Sequence, residues 1–349
     1  MTTDEIITFV LPDLVSHCPY PYRINPNWKE PAQDSEQWTK EVINFTSERL
    51  AEFLGAKFGE FAATCYPETD ASRLRTCMDF LTFAFVIDDA MDEFGAEGAR
   101  ALAECSLKAM RDPIDFQTDK KIGILTKWWF SRFAQGAHTS LIQRFVHSMK
   151  LTYQAMGQEA ADRVKNHTPS LSSYVVRRRD ASGVKPCLHF IEFAGGFCLP
   201  EDVLQSEVMR SLEESAVDYI AWVNDLFSYN KEAGAGHTYN LVTVVMKNNG
   251  CSLQDAIDCV GELCNSCIDR FERDCRRLPS WGPEIDDLVA KYIIGLQDWM
   301  SSVVQWSFRS ERYFGKDGLE IQKSRIVQLH KDIIEESQGP DKEEEGPRL

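Results

Sequence analysis

Two groups of oxygen-bearing side chains, well separated in the chain, have the types and spacing to do chemistry. The first lies in LRTCMDFLTFAFVIDDAMDE, residues 74–93. Leu74, Cys77, Met78, Leu81 and Phe85 recur at steps of three and four, which places them on one apolar helix face. The same stripe runs on into Asp88 and Asp92, while Asp89 and Glu93 widen its acidic edge. Carboxylates in line with a buried face repel one another and resist leaving water. Divalent cations relieve both problems, and carboxylates one helical turn apart can reach one or two shared ions. Taken alone, DDxxD also fits a helix end whose acids face water.

The second group lies in SAVDYIAWVNDLFSYNKE, residues 215–232. Val217, Ile220 and Ala221 begin an inward stripe that continues through Asn224, Ser228 and Glu232. An amide oxygen, a hydroxyl and a carboxylate are hard ligands, and stacked on successive turns they can hold one Mg²⁺ whose other positions stay open to water and phosphate oxygens. Lys231 stands beside them as a point charge for a phosphate. Asn and Ser inside a helix can also bond locally. On two facing helices, the groups would form a clamp for three metal ions.

The elements that must position these groups are helical. From Trp38 onward the apolar spacing is that of helix after helix, interrupted by breakers such as Pro67, Pro113, Ser182–Gly183, Asn248–Gly250 and Pro279–Pro283. Few segments alternate with the period of a strand. The pattern predicts one all-α domain over residues 1–336, a bundle of about ten helices. Residues 1–36, punctuated by Pro12, Pro19, Pro21, Pro26 and Pro31, are expected to form an irregular strap over it. The acidic stretch 337–349, with DKEEEG, has too little apolar content to pack and is expected to be a disordered tail.

Composition limits the partners. Of the 349 residues, 43% are hydrophobic, and no apolar run reaches the length of a membrane span. A net charge of −16 disfavours nucleic acid and anionic membrane surfaces, which demand clustered Lys and Arg. It is compatible with an anionic small substrate that arrives with metal ions. The acidic N-terminus has no basic leader region, so a cytoplasmic location is expected. The eleven cysteines are expected to be reduced, and the CxxC at Cys264 and Cys267 reads as small apolar packing rather than a zinc site.

DDxxD followed by N-D-x-x-S-x-x-x-E resembles the class I terpene synthases. Here the motifs are Asp88-Asp89-Ala90-Met91-Asp92 and Asn224-Asp225-Leu226-Phe227-Ser228-Tyr229-Asn230-Lys231-Glu232. The Lys-Glu ending is similar to the microbial members, and NDLFSYNKE…HTYNLVTVVM to the fungal ones. The resemblance extends to LPDL…PYPYRINP in the strap and to Arg312-Tyr313, so it covers most of the domain. It implies the class I terpenoid synthase fold, Asp88 and Asp92 binding two Mg²⁺, and Asn224, Ser228 and Glu232 binding a third. Members carry a diphosphate-sensing arginine at a set distance before the second motif. That distance leads to Arg178 in YVVRRRDASG, with Arg177 and Arg179 as alternatives.

The resemblance further implies that Arg178, Lys231, Arg312 and Tyr313 grip the diphosphate and that Trp306 lines the hydrocarbon pocket. With 20 Phe, 10 Tyr and 8 Trp, the chain has aromatic faces to stabilise cations. Phe80, Phe83 and Phe85 are expected near the metal edge, and Tyr292, Leu296, Trp299, Val303 and Trp306 along a late helix. The implied substrate is an isoprenyl diphosphate, by domain size farnesyl diphosphate, with geranyl and geranylgeranyl diphosphate as alternatives. A chain-elongating prenyltransferase would carry a second Asp-rich motif where Asn224, Ser228 and Glu232 stand. A non-catalytic isoprenoid-binding protein and a helical scaffold are the other rivals. Both monomer and homodimer are compatible with the family.

Overall fold

A computed structural model describes residues 7–93, 96–164, 168–234 and 239–329. After a short strand β1 (Ile7–Val10) come α1 (Leu14–His17), α2 (Lys29–Ile43), α3 (Ser47–Gly55) and α4 (Phe58–Cys65). The central body consists of α5 (Ala71–Glu93), α6 (Ala96–Arg111), α7 (Lys121–Gly136), α8 (Thr139–Val164), α9 (Leu171–Ala181), α10 (Val184–Gly195) and α11 (Glu201–Leu204). The last third holds α12 (Glu207–Gly234), α13 (Leu241–Asn249), α14 (Leu253–Cys275), α15 (Pro283–Arg309), a 3₁₀ turn at Gly315–Asp317, α16 (Gly318–Ser324) and strand β2 (Ile326–Leu329).

The all-α expectation holds, with sixteen helices among the described residues where about ten were expected. The excess comes from short pieces, α1 and α11 of about one turn and α3, α4, α13 and α16 of about two, too short to show a clear period. Helix also starts earlier than expected. Pro31 falls in the first turn of α2, where its missing N–H is no loss, so the irregular strap ends before Lys29 rather than at 36. The strap's other unexpected element is β1, which pairs antiparallel with β2, Phe9 opposite Val327. Gln254 on α14 pins this strand, accepting from the Val10 amide at 2.8 Å and donating to its carbonyl at 3.0 Å. The tail expected over 337–349 lies outside the described residues.

Buried carboxylates tie several of the helices to their neighbours. Asp79 on α5 accepts from Ser35 on α2 and from Trp128 and Arg132 on α7. Glu192 on α10 takes Arg144 of α8 at 2.6 Å. Asp218 on α12 takes Arg179 of α9 at 2.7 Å and Arg270 of α14 at 2.9 Å. Removing one partner of such a pair leaves an uncompensated buried charge, so these ties fix how the helices sit against each other. Between them is an aromatic core, with Phe80 stacked on Phe190 at 4.4 Å and Trp129, Phe133 and Phe145 around them. All eleven cysteines are free, and Cys264 and Cys267 are buried. No helix among the described residues is long and apolar enough to cross a membrane.

Candidate active site

α5, α8, α10, α12 and α15 enclose a cavity of about 380 Å³, which falls in the range of small-molecule sites. Its apolar wall is deeply buried and includes Phe61, Phe80, Trp299, Val303 and Trp306. The charged residues Asp88, Asp89, Lys231 and Glu232 on its lining are more exposed. The site is therefore amphipathic, a buried aromatic wall adjoining a more exposed charged part.

Asp88 reaches this cavity from the last turns of α5. Asp92 lies one turn further on, and its side chain is outside the described residues. Across the cavity, Asn224, Ser228 and Glu232 line the facing side of α12 on successive turns, with Lys231 beside them. Arg178 enters from α9, and Arg312 and Tyr313 from the turn after α15. Phe85 and Trp306 are on the wall. Of the three consecutive arginines, Arg178 faces the cavity. Arg177 turns to Asp162 and Tyr239, and Arg179 to Asp218 and Glu214.

The expected aromatics divide. Phe80 and Phe85 line the cavity, whereas Phe83 packs on Trp129 outside it, because it lies on another side of α5. On α15, Trp299, Val303 and Trp306 face in, while Tyr292 and Leu296 belong to the deeper core. Trp306 stacks on Phe61 at 4.2 Å and donates its indole N–H to the Ala56 carbonyl at 2.8 Å. Its ring is thus fixed in place at the wall.

Hydrogen bonding around the second motif is dense, with one gap. Asn224 Oδ1 accepts from Arg178 Nη2 at 2.8 Å, and Asn224 Nδ2 donates to the Tyr313 hydroxyl at 2.8 Å. Glu232 Oε2 accepts from Asn240 Nδ2 at 3.0 Å. Between them Ser228 Oγ is buried and has no hydrogen-bond partner. An orphaned hydroxyl costs about 1–3 kcal/mol, which a bound cation would offset. The donor set, amide oxygen, hydroxyl and carboxylate, suits a hard divalent ion. Among the described residues no three His, Cys, Asp or Glu side chains converge on one point.

Electrostatics keep the cationic groups charged. Burial works against the Arg178 guanidinium, but Asp225 at 2.8 Å outweighs it and holds the group protonated. Burial pushes the Asp225 carboxyl up to about 6 in spite of Arg178. Arg312 donates to both oxygens of Asp89, at 3.1 and 3.3 Å, and lies 4.6 Å above the Phe85 ring. Burial raises the Asp89 carboxyl, yet the Arg312 charge wins and the net shift is downward. Sequence reasoning missed three supporting residues: Asp225, Tyr174, which donates to Asp225 at 2.7 Å, and Asn240. Asp225 was in view within the second motif, but its bonds to Tyr174 and Arg178 on α9 bring together residues far apart in the chain, and that hid its role.

The family model described as terpene synthase family 2, C-terminal metal binding, matches residues 79–270, a span that includes both motifs. Sesquiterpene synthase 1 of Postia placenta is 41% identical over 94% of this chain and 97% of its own length. The alpha-muurolene synthase of Coprinopsis cinerea is 38% identical over 94% of this chain and 80% of its own. Among solved structures, a hedycaryol synthase superposes with a TM-score of 0.75 over 85% of this chain and 98% of that one, at 20% identity, a likeness of fold.

Proposed function

The chain belongs to the terpene synthase family, and we propose from that premise that it ionises farnesyl diphosphate and closes the released cation into a sesquiterpene. It is a class I sesquiterpene cyclase of the fungal kind and a metal-dependent lyase. The observation that carries the reading is the convergence of Asp88 and the Asn224–Ser228–Glu232 row on one cavity that is also walled by aromatic side chains.

Asp88 and Asp92 would hold two Mg²⁺, and Asn224, Ser228 and Glu232 a third. When bound, these ions would neutralise the diphosphate and make it a competent leaving group. Arg178, Lys231, Arg312 and Tyr313 would donate to its oxygens, Arg178 and Arg312 through planar forks that match phosphate geometry. The prenyl chain would lie along Phe61, Phe85, Trp299 and Trp306, whose faces stabilise positive charge by roughly 0.5–2 kcal/mol each. The same wall offers little that could quench a cation. Burial holds Cys187 in its protonated, weakly nucleophilic form. Shielding from water then leaves the shape of the wall to select among ring closures.

The test is incubation of the purified protein with farnesyl diphosphate and Mg²⁺, extraction into hexane and gas chromatography–mass spectrometry. Cyclic C15 products that disappear with EDTA are expected. Products from geranyl or geranylgeranyl diphosphate alone would move the substrate to C10 or C20, and silence with all three would overturn the cyclase reading.

A further inference from the structure

We propose that Arg178 is a placeholder cation on the second motif, covering the Asn224 oxygen that a divalent ion would use until an anion draws the guanidinium away. The proposal rests on Asn224, Ser228 and Glu232 being a metal-binding row.

Arg178 Nη2 donates to Asn224 Oδ1 at 2.8 Å. The orientation of that amide is fixed by the guanidinium, which can only donate, and its other end donates to the Tyr313 hydroxyl. A flipped amide would set its NH₂ against the guanidinium, donor against donor. The arginine is held on this oxygen by Asp225, which takes Nε at 3.1 Å and Nη2 at 2.8 Å. Asp225 is itself buried and anchored by Tyr174. Because Asn224 and Asp225 are adjacent in sequence, one planar fork spans both. The rest of the row is ready: Ser228 Oγ has no hydrogen-bond partner, and Glu232 has one oxygen on Asn240.

A guanidinium and a divalent ion on one carbonyl oxygen repel strongly in so buried a place. An ion arriving alone must therefore displace Arg178. A diphosphate gives Arg178 a stronger partner, uncovers Asn224, and so favours the ion. By linkage each ligand then strengthens the other to the same degree. The contact would keep the site from filling with metal before substrate is present. The opposite role, in which Arg178 steadies Asn224 for the ion, predicts the reverse effect of removing it.

The experiment is a Mn²⁺ titration followed by electron paramagnetic resonance, without diphosphate and then with inorganic diphosphate. Glu232→Gln isolates the part of the binding that belongs to the second motif. Arg178→Met is compared with Arg178→Met combined with Asp225→Asn, which removes both buried charges and leaves net charge unchanged. Arg177→Met controls for the loss of a nearby positive charge, and far-UV circular dichroism checks each fold. Without diphosphate, Glu232-dependent Mn²⁺ binding should tighten about tenfold in both Arg178 proteins, the worth of one charge-assisted bond, and change little in Arg177→Met. Unchanged or weaker binding, or an equal gain in Arg177→Met, overturns the placeholder role while leaving the metal row standing. Mn²⁺ binding that ignores Glu232→Gln even with diphosphate overturns the row, and the proposal with it.

Discussion

At Glu232, replacing a carboxylate by an amide separates charge from shape. Glu232→Gln keeps an oxygen for the Asn240 donor but loses the anion, so turnover should fall by about 10²-fold or more. Product formation and circular dichroism measure this together, and full activity in a folded variant removes Glu232 from the metal row. Trp306→Leu opens space at the wall and orphans the Ala56 carbonyl. It should lower stability by about 2–4 kcal/mol in urea and shift the product distribution. An unchanged product profile would make Trp306 part of the core and nothing more. Glu213, under the Tyr292 hydroxyl, is pushed up to about 7 by burial, against the pull of that hydrogen bond. A raised carboxyl favours the fold most at low pH and loses that contribution as pH rises through about 7. Glu213→Gln should therefore gain melting temperature relative to wild type at pH 8 more than at pH 5. A pH-independent difference would contradict the shift. Asp88, Asn224, Ser228 and Glu232 were legible because a stripe that turns from apolar to oxygen-bearing is unusual, whereas Arg178, Arg312, Tyr313 and Trp306 came from the family resemblance. Asp225 and Asn240 were not legible, because their worth lies in what they touch across the bundle.

Among the elements, the break between α9 and α10 carries the most consequence for the site. Gly183 takes φ +68°, and a Cβ there would meet nothing within 4 Å, so any penalty is conformational rather than steric crowding. Gly183→Ala should cost about 1–2 kcal/mol by urea denaturation, and Gly183→Asn less, since Asn visits this region more readily. Equal losses would mean the left-handed turn is not what the glycine supplies. The break was readable from Ser182–Gly183, as were the long α5, α12 and α15 from their spacing. The start of α2 was not, because a run of prolines hides a helix that begins just before one. Nor were β1 and β2, since four-residue strands carry no period of their own and β1 acquires its identity from a partner near the other end of the chain.

For the whole molecule, ligand binding should be visible in stability. If ions and diphosphate enter together, Mg²⁺ with inorganic diphosphate should raise the melting temperature by more than the sum of the two given separately. At a hundredfold excess over Kd the gain is about 2.7 kcal/mol. EDTA should erase it, and strictly additive shifts would argue for independent sites. The paired ends of the described chain have a consequence for synthesis. Ile7–Val10 emerges first, yet its partner strand, Ile326–Leu329, is among the last described residues to be made. Until then the strand's edge is open, and Phe9, which packs edge-on to Tyr229 within the second motif, lacks the neighbour that helps to bury it. Growth of the polypeptide thus imposes a timetable: the helices can assemble as they are made, whereas the sheet that braces the helix of the second motif must wait for the stretch around Ile326–Leu329. A chain halted before Ile326 would carry both motifs and still lack that brace.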